Sequence, residues 1–218
     1  MGLIQFVLIF HIFSGSISLV AGLFAILLRN KVTYHKKVGK IYFYSMTAVF
    51  ISAIILAVNH KNIFLFCVSF FSYYSCLTAY RSLHLKQLHI NQKPLLFDWI
   101  IEAFFGFIHI GFVLFSIYIL FIGRLDFGII SLIFGAIGLR GNYITYKRLK
   151  GHVTYKSYWL MAHIGGMLGS YIGAITAFLV NNNNRWIQLP NIVAWIGPTA
   201  FIVPLIIFEL KKHKKHTF

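Results

Sequence analysis

Acidic side chains are almost missing from this chain: Asp98, Glu102, Asp126 and Glu209 are the only four in 218 residues, against twenty Lys and Arg. They form no HExxH motif and no paired-carboxylate arrangement of the kind hydrolytic sites use. Cysteine is equally scarce. Cys67 and Cys76 share one apolar segment, nine residues apart and so on opposite faces of a helix, which excludes a bridge between them, a disulfide framework and a thiol-zinc site. Long polar stretches are lacking too. The longest loops between apolar segments have fewer than about 20 residues, too short for a soluble domain. Any chemistry belongs inside the apolar part or at its mouths.

What fills the chain is hydrophobic: 59% of residues, with a mean hydropathy of +0.77. Soluble domains carry roughly half apolar residues, so this composition predicts a membrane protein. A formal charge of +16 would suggest nucleic acid in a soluble protein, but here the basic residues lie between apolar runs, which excludes that partner.

Apolar segments fall at about 3–28, 40–59, 63–80, 99–122, 127–146, 157–180 and 190–210. Arg29, Lys31, Lys36, Lys37 and Lys40 follow the first; Arg81, Lys86 and Lys93 follow the third. Arg140, Lys147, Arg148, Lys150 and Lys156 end the fifth, and Lys211, Lys212, Lys214 and Lys215 end the seventh. The alternate loops hold only Lys61, Arg124 and Arg185. The positive-inside rule places the richer set in the cytoplasm. The expected fold is an all-α integral membrane protein, a seven-helix transmembrane bundle over 1–210 with the N-terminus outside. The C-terminus is cytoplasmic, with a basic tail over 211–218 that anionic lipid attracts. The first segment lacks a basic n-region and is too long for a signal-peptide core, so it is expected to remain as an anchor. Trp99 and Trp159 mark inner ends and Trp186 an outer one, while Pro198 and Pro204 should kink the last helix.

Polar residues inside the spans point to the candidate site, because intramembrane ionisable groups normally face a bundle interior. Residues 157–180 carry no charge but hold His163, whose face continues through Met167 and Ser170. Gly165, Gly169 and Gly173 form a small-xxx-small ridge on a separate face, where a neighbouring helix is expected to pack closely. In the first segment His11, Gly15, Ser18 and Gly22 share a face; in the fourth, Asp98, Glu102 and His109 do so. The third offers Ser69, Ser72, Tyr73, Cys76 and Tyr80. At 1.5 Å per residue His163 lies about 10 Å from the inner edge, His109 about 16 Å and His11 about 27 Å. These depths let His109 and His163 meet, leave His11 higher, and put Glu102 near Arg140 as an ion pair.

His11-x3-Gly15 with Gly22, His35-Lys36 before Gly39, Asp98-Trp99, His163-x3-Met167, the run 176–181 and Leu189-Pro190 together resemble a family. It is the bacterial predicted multi-pass membrane proteins grouped as a domain of unknown function, and the likeness covers nearly the whole chain. Such proteins tend to have His-Arg where this one has His35-Lys36, which removes a bidentate guanidinium. The resemblance implies a bacterial inner membrane and no particular activity. The order His11, Arg29, His35, echoed by His163-x3-Met167, is also similar to cytochrome b561-type proteins, where facing helices supply axial imidazoles to haem iron.

Three functions follow as expectations. One is b-type haem binding and electron transfer through His163 with His109 or His35, and a second site at His11. Another is a zinc-dependent intramembrane hydrolase begun by His109, His163 and Glu102, which needs three protein ligands and an open position. The last is a non-enzymatic transporter or membrane scaffold with Glu102, Arg140, Met167 and Ser170 lining a polar interior. Of the helix breaks that transporters use, only Gly197-Pro198 is present.

Overall fold

A computed structural model describes residues 2–153, 156–183 and 187–214. Seven α-helices account for nearly all of them: α1 (Leu3–Leu27), α2 (Val32–Asn59), α3 (Ile63–Ser82), α4 (Leu96–Phe121), α5 (Leu125–Leu149), α6 (Tyr158–Asn182) and α7 (Asn191–Lys214). No strand occurs among the described residues. By length and apolarity α1, α2, α4, α6 and α7 each suffice to cross a hydrocarbon core.

The helices overrun the apolar windows at their basic ends. α2 begins at Val32 rather than 40, and α5 runs on to Leu149, so His35, Lys36 and Lys37 are helical, as are Lys147 and Arg148. Lysine and arginine are good helix formers whose stems lie along apolar surface while the charge reaches water, so a charged turn extends a helix without lengthening its apolar run. α4 starts at Leu96 because Asp98 caps it, its carboxylate accepting the Leu95 N–H at 2.9 Å. At α3 the bond runs the opposite way, the N-cap Asn62 side chain accepting from the Leu65 N–H at 3.0 Å. Pro198 and Pro204 both lie inside α7. Trp186, Arg185 and Lys215 lie outside the described residues.

Helices α1 and α2 pack as a hairpin, as do α4 and α5; α3 and α6 pack together, α2 lies on α3, and α7 lies on α6. The main core is aromatic, with Tyr42, Phe70, Tyr73, Tyr74, Phe105 and Tyr171 around Met46 and Cys76. Cys67 and Cys76 are both free thiols. Large apolar side chains such as Phe107, Phe121 and Phe201 point outward, as lipid-facing residues do.

Close packing of α6 uses one glycine of the expected ridge, Gly173, together with Gly166, which lies outside it. A Cβ at Gly166 would lie 2.7 Å from the Ala79 Cβ and 2.8 Å from the Ser75 carbonyl oxygen, and one at Gly173 would lie 2.8 Å from the Ser72 hydroxyl. At Gly165 and Gly169 a Cβ meets nothing within 4 Å. Spacings of four and then three from Gly166 through Ser170 to Gly173 hold one face toward α3, whereas a strict four-residue ridge drifts round the helix.

Candidate functional site

The polar interior divides into two histidine-bearing regions that meet different parts of α3. The first lies among α3, α4 and α5. Asp98, Glu102 and His109 share the buried face of α4, as their spacing predicts, and His109 has no exposed surface. Its Nδ1 is 2.5 Å from the Asn142 amide oxygen on α5, and the Asn142 amide nitrogen donates to a Glu102 carboxylate oxygen at 2.6 Å. The other Glu102 oxygen accepts from the Tyr74 hydroxyl at 2.9 Å. This orientation is self-consistent, since turning the Asn142 amide over would set oxygen against carboxylate. An amide oxygen only accepts, so His109 Nδ1 carries the proton and Nε2 is left buried without a partner.

Glycine on α5 lets that ring approach. A Cβ at Gly138 would come within 2.7 Å of His109 Cδ2, and one at Gly135 would come within 2.7 Å of the Val113 side chain. Glu102 is not paired with Arg140, which is exposed. Arg140 precedes Asn142 by two residues, or roughly 200° of helix, and faces away from α4. Arg148 is the cation in electrostatic reach of Glu102 and Tyr74. Toward the basic end a bidentate ion pair joins α3 to α4, with Arg81 Nε and Nη2 at 2.8 and 3.0 Å from the two Asp98 oxygens. Between this pair and Glu102, with Thr78 and Thr145 in its wall, sits a cavity of about 30 Å³. That is room for one or two waters.

The second region lies where α1, α2, α3 and α6 approach each other. His35 Nδ1 is 2.9 Å from the Ala25 carbonyl oxygen, and His163 Nδ1 is 3.3 Å from that of Ala79. Carbonyls only accept, so both rings carry the proton on Nδ1 and keep a lone pair on Nε2, the arrangement that backbone carbonyls impose on metal-binding histidines. The ring centroids of His35 and His163 stand 6.1 Å apart. The ring contacts of His109 are with Phe71, Tyr74 and Phe105. His163 therefore meets His35 and not His109. Equal depth alone does not bring His109 to His163, because the two rings meet different parts of α3, and of the two partners expected for His163 it is His35, carried into helix by the early start of α2, that stands beside it.

His11 stands apart from both regions, its Nδ1 2.9 Å from Ser52 Oγ on α2. The Ser52 proton goes to a helix carbonyl, so His11 is the donor. Ser170 is fully buried and links the Tyr42 hydroxyl at 2.7 Å to the Met167 carbonyl at 2.8 Å, while Met167 packs on the aromatic core. Both residues thus pack α6 against α2 and the aromatic core.

A haem iron held between two imidazoles needs free Nε2 atoms and a certain spacing. Metal–nitrogen bonds of about 2 Å plus about 1 Å to each ring centre give roughly 6 Å between centroids. The His35 and His163 ring centroids, 6.1 Å apart with planes at 84°, match that spacing, and the Nδ1–H tautomer leaves each Nε2 free. Among the described residues no group of three or more His, Cys, Asp and Glu is gathered as a metal cluster, so the third protein ligand that zinc hydrolysis calls for is not beside His109 or His163.

Asn142, Tyr74 and Arg148 escaped the sequence reading, although they organise the first region. Gly128, Ser131, Gly135, Gly138, Asn142 and Thr145 recur every three or four residues, and that stripe was the available signal. No protein-family model, curated protein or solved structure matches the chain.

Proposed function

We propose that this chain is a seven-pass bacterial inner-membrane protein, N-terminus outside and C-terminus cytoplasmic, that binds b-type haem through His35 and His163 and transfers electrons across the bilayer. The observation that carries the proposal is the pair itself: two imidazoles from α2 and α6, each anchored through Nδ1 on a backbone carbonyl, with ring centres 6.1 Å apart. Bound haem supplies one-electron chemistry. The chain's own part is to hold both rings in one tautomer by way of the Ala25 and Ala79 carbonyls, which also raises the basicity of each free nitrogen. Lys36, one residue past His35, offers a cation for a propionate. The seven-span topology rests on the distribution of basic residues and on seven helices of 20 to 28 residues.

The absorption spectrum of purified protein expressed with added haem tests this. A Soret band is expected, lost on His163→Ala or His35→Ala while the protein still folds, and unchanged or reduced only in a distinct second component on His11→Ala. Absence of absorbance above about 380 nm would reject the cofactor.

A second reading, a small-molecule transporter that binds a proton, is favoured by the Tyr74–Glu102–Asn142–His109 chain and the water-sized cavity leading from it to Arg81 and Asp98. Buried carboxylates and histidines in membranes mark such pathways. A colourless wild-type protein whose reconstituted vesicles acidify in response to a substrate, with Glu102→Gln silent, would favour it over haem.

A further inference from the structure

Helices α4 and α5 part along their outer side, leaving a groove of about 380 Å³ that opens sideways out of the bundle. We propose that this groove is a binding site for one anionic phospholipid, its phosphate held by Lys147 and Lys150 and one acyl chain lying along Gly106 and Ile110. The proposal rests on the membrane reading and is independent of haem. Charge complementarity selects the occupant. The Lys150 ammonium stands 5.6 Å above the Trp99 ring and 5.8 Å from that of Tyr146, both of which line the groove mouth, and the Lys147 ammonium stands 5.2 Å above the Tyr143 ring.

Two cations are thus held by aromatic faces at the level where head groups lie, with no acidic side chain among the described residues in an ion pair to either. Below them the lining is Ala103, Gly106, Ile110 and Leu139, together with Glu102 and Asn142, whose side chains are bonded to each other. Gly106 leaves a trough, where a Cβ would meet only the Asn142 amide, at 3.7 Å. From Trp99 to Ile110 the groove runs roughly 16 Å along α4, a length suited to most of an acyl chain. A zwitterionic lipid lacks the net charge to satisfy both lysines, and a soluble anion gains nothing from the trough. Basic pockets between helices at the cytoplasmic side bind acidic lipid head groups for these reasons.

Native mass spectrometry of the whole protein, released from nanodiscs of phosphatidylcholine doped with phosphatidylglycerol, tests the site. One phosphatidylglycerol per chain should be retained in preference to phosphatidylcholine. K147Q/K150Q should lower that retention about tenfold or more, and Gly106→Leu should lower it by filling the trough. Both lysines are exposed, so the double variant remains informative if Gly106→Leu does not fold. K211Q/K212Q, in the exposed end of α7, should leave retention unchanged, and excess inorganic phosphate should not displace the lipid. Equal loss in K147Q/K150Q and K211Q/K212Q would reduce the effect to general surface charge. Displacement by phosphate would make it a simple anion site. Either result, or retention indifferent to both lysines, overturns the proposal. The spectrum and lipid retention are separate readouts, so loss of one leaves the other standing.

Discussion

The two histidine regions contrast in how their rings are held. Beside α5, His109 is one member of a chain in which every polar group but one is spent on another side chain: Tyr74 on Glu102, Glu102 on Asn142, Asn142 on His109. Beside α6, His35 and His163 each make one bond to a backbone carbonyl and otherwise meet edge to face, their ring planes at 84°. A buried chain of this kind is costly to break, since each member removed leaves another unsatisfied. His109 also keeps Nε2 free, but its Nδ1 is bonded into that chain, whereas His35 and His163 are tethered only to backbone carbonyls, so either ring costs less to lose and the pair offers two free nitrogens to one ligand. The difference separates a region that fixes the relation of α4 to α5 from one able to accept something from outside the chain.

Asn142→Leu is the sharpest way to break this contrast. It leaves Glu102 Oε1 and His109 Nδ1 without partners while Tyr74 still bonds the other Glu102 oxygen, and at about 1–3 kcal/mol for each buried group a loss of roughly 2–4 kcal/mol is expected. His35→Gln removes one bond of the kind that averages about 0.6 kcal/mol between membrane helices. Unfolding free energies of the two variants in bicelles decide the matter: if Asn142→Leu is no worse than His35→Gln, the α4–α5 chain contributes no special stability and the contrast fails.

How much of this was legible beforehand follows from the geometry of single helices. Seven helices follow from the apolar runs, and the shared face of Asp98, Glu102 and His109 follows from spacings of four and seven. What pairs across helices does not, because it depends on how each helix is rotated about its axis. Arg140 lies at nearly the right height for Glu102 but on the wrong side of α5, and Asn142, two residues on, takes its place. The apolar window over about 40–59 leaves out His35 because hydropathy stops at lysines that a helix readily accommodates. The glycine ridge holds only at Gly173 for a related reason: three glycines spaced by four satisfy a motif, but contact with α3 follows Gly166, Ser170 and Gly173 and leaves Gly165 and Gly169 in open space.

That last correction sharpens into a paired test of intermediate size. Gly166→Ala places a methyl against the Ala79 Cβ and the Ser75 carbonyl, neither of which can swing aside, so α3 and α6 must separate, at about 1–3 kcal/mol. Gly169→Ala meets open space and replaces a poor helix former by a good one, so it should be neutral or slightly stabilising. Melting temperatures of the two single variants check this. A harmless Gly166→Ala would mean that the α3–α6 contact at the foot of the His163 site yields easily.

The smallest expected effect concerns the two ion pairs between helices at the basic end. Arg81 and Asp98 meet in a bidentate fork with the carboxylate side chain 3% exposed, whereas Arg29 Nε stands 3.4 Å from Glu209 with the Arg29 side chain 48% exposed. Water and salt screen an exposed pair, and ordering a long side chain offsets much of what attraction remains, so pairs of this kind contribute about 0–1 kcal/mol. Arg29→Gln should therefore lower stability by less than about 1 kcal/mol, and the difference from wild type should shrink as salt is raised past the point where the screening length falls to about 3 Å. Arg81→Gln leaves a buried carboxylate without its cation and with only the Leu95 amide to satisfy it, a loss that salt barely alters. Melting each variant against wild type at low and high salt separates the two cases. A salt-insensitive Arg29→Gln defect would show that Arg29 holds α7 against α1 by packing of its stem, since van der Waals contact, unlike charge, is not screened.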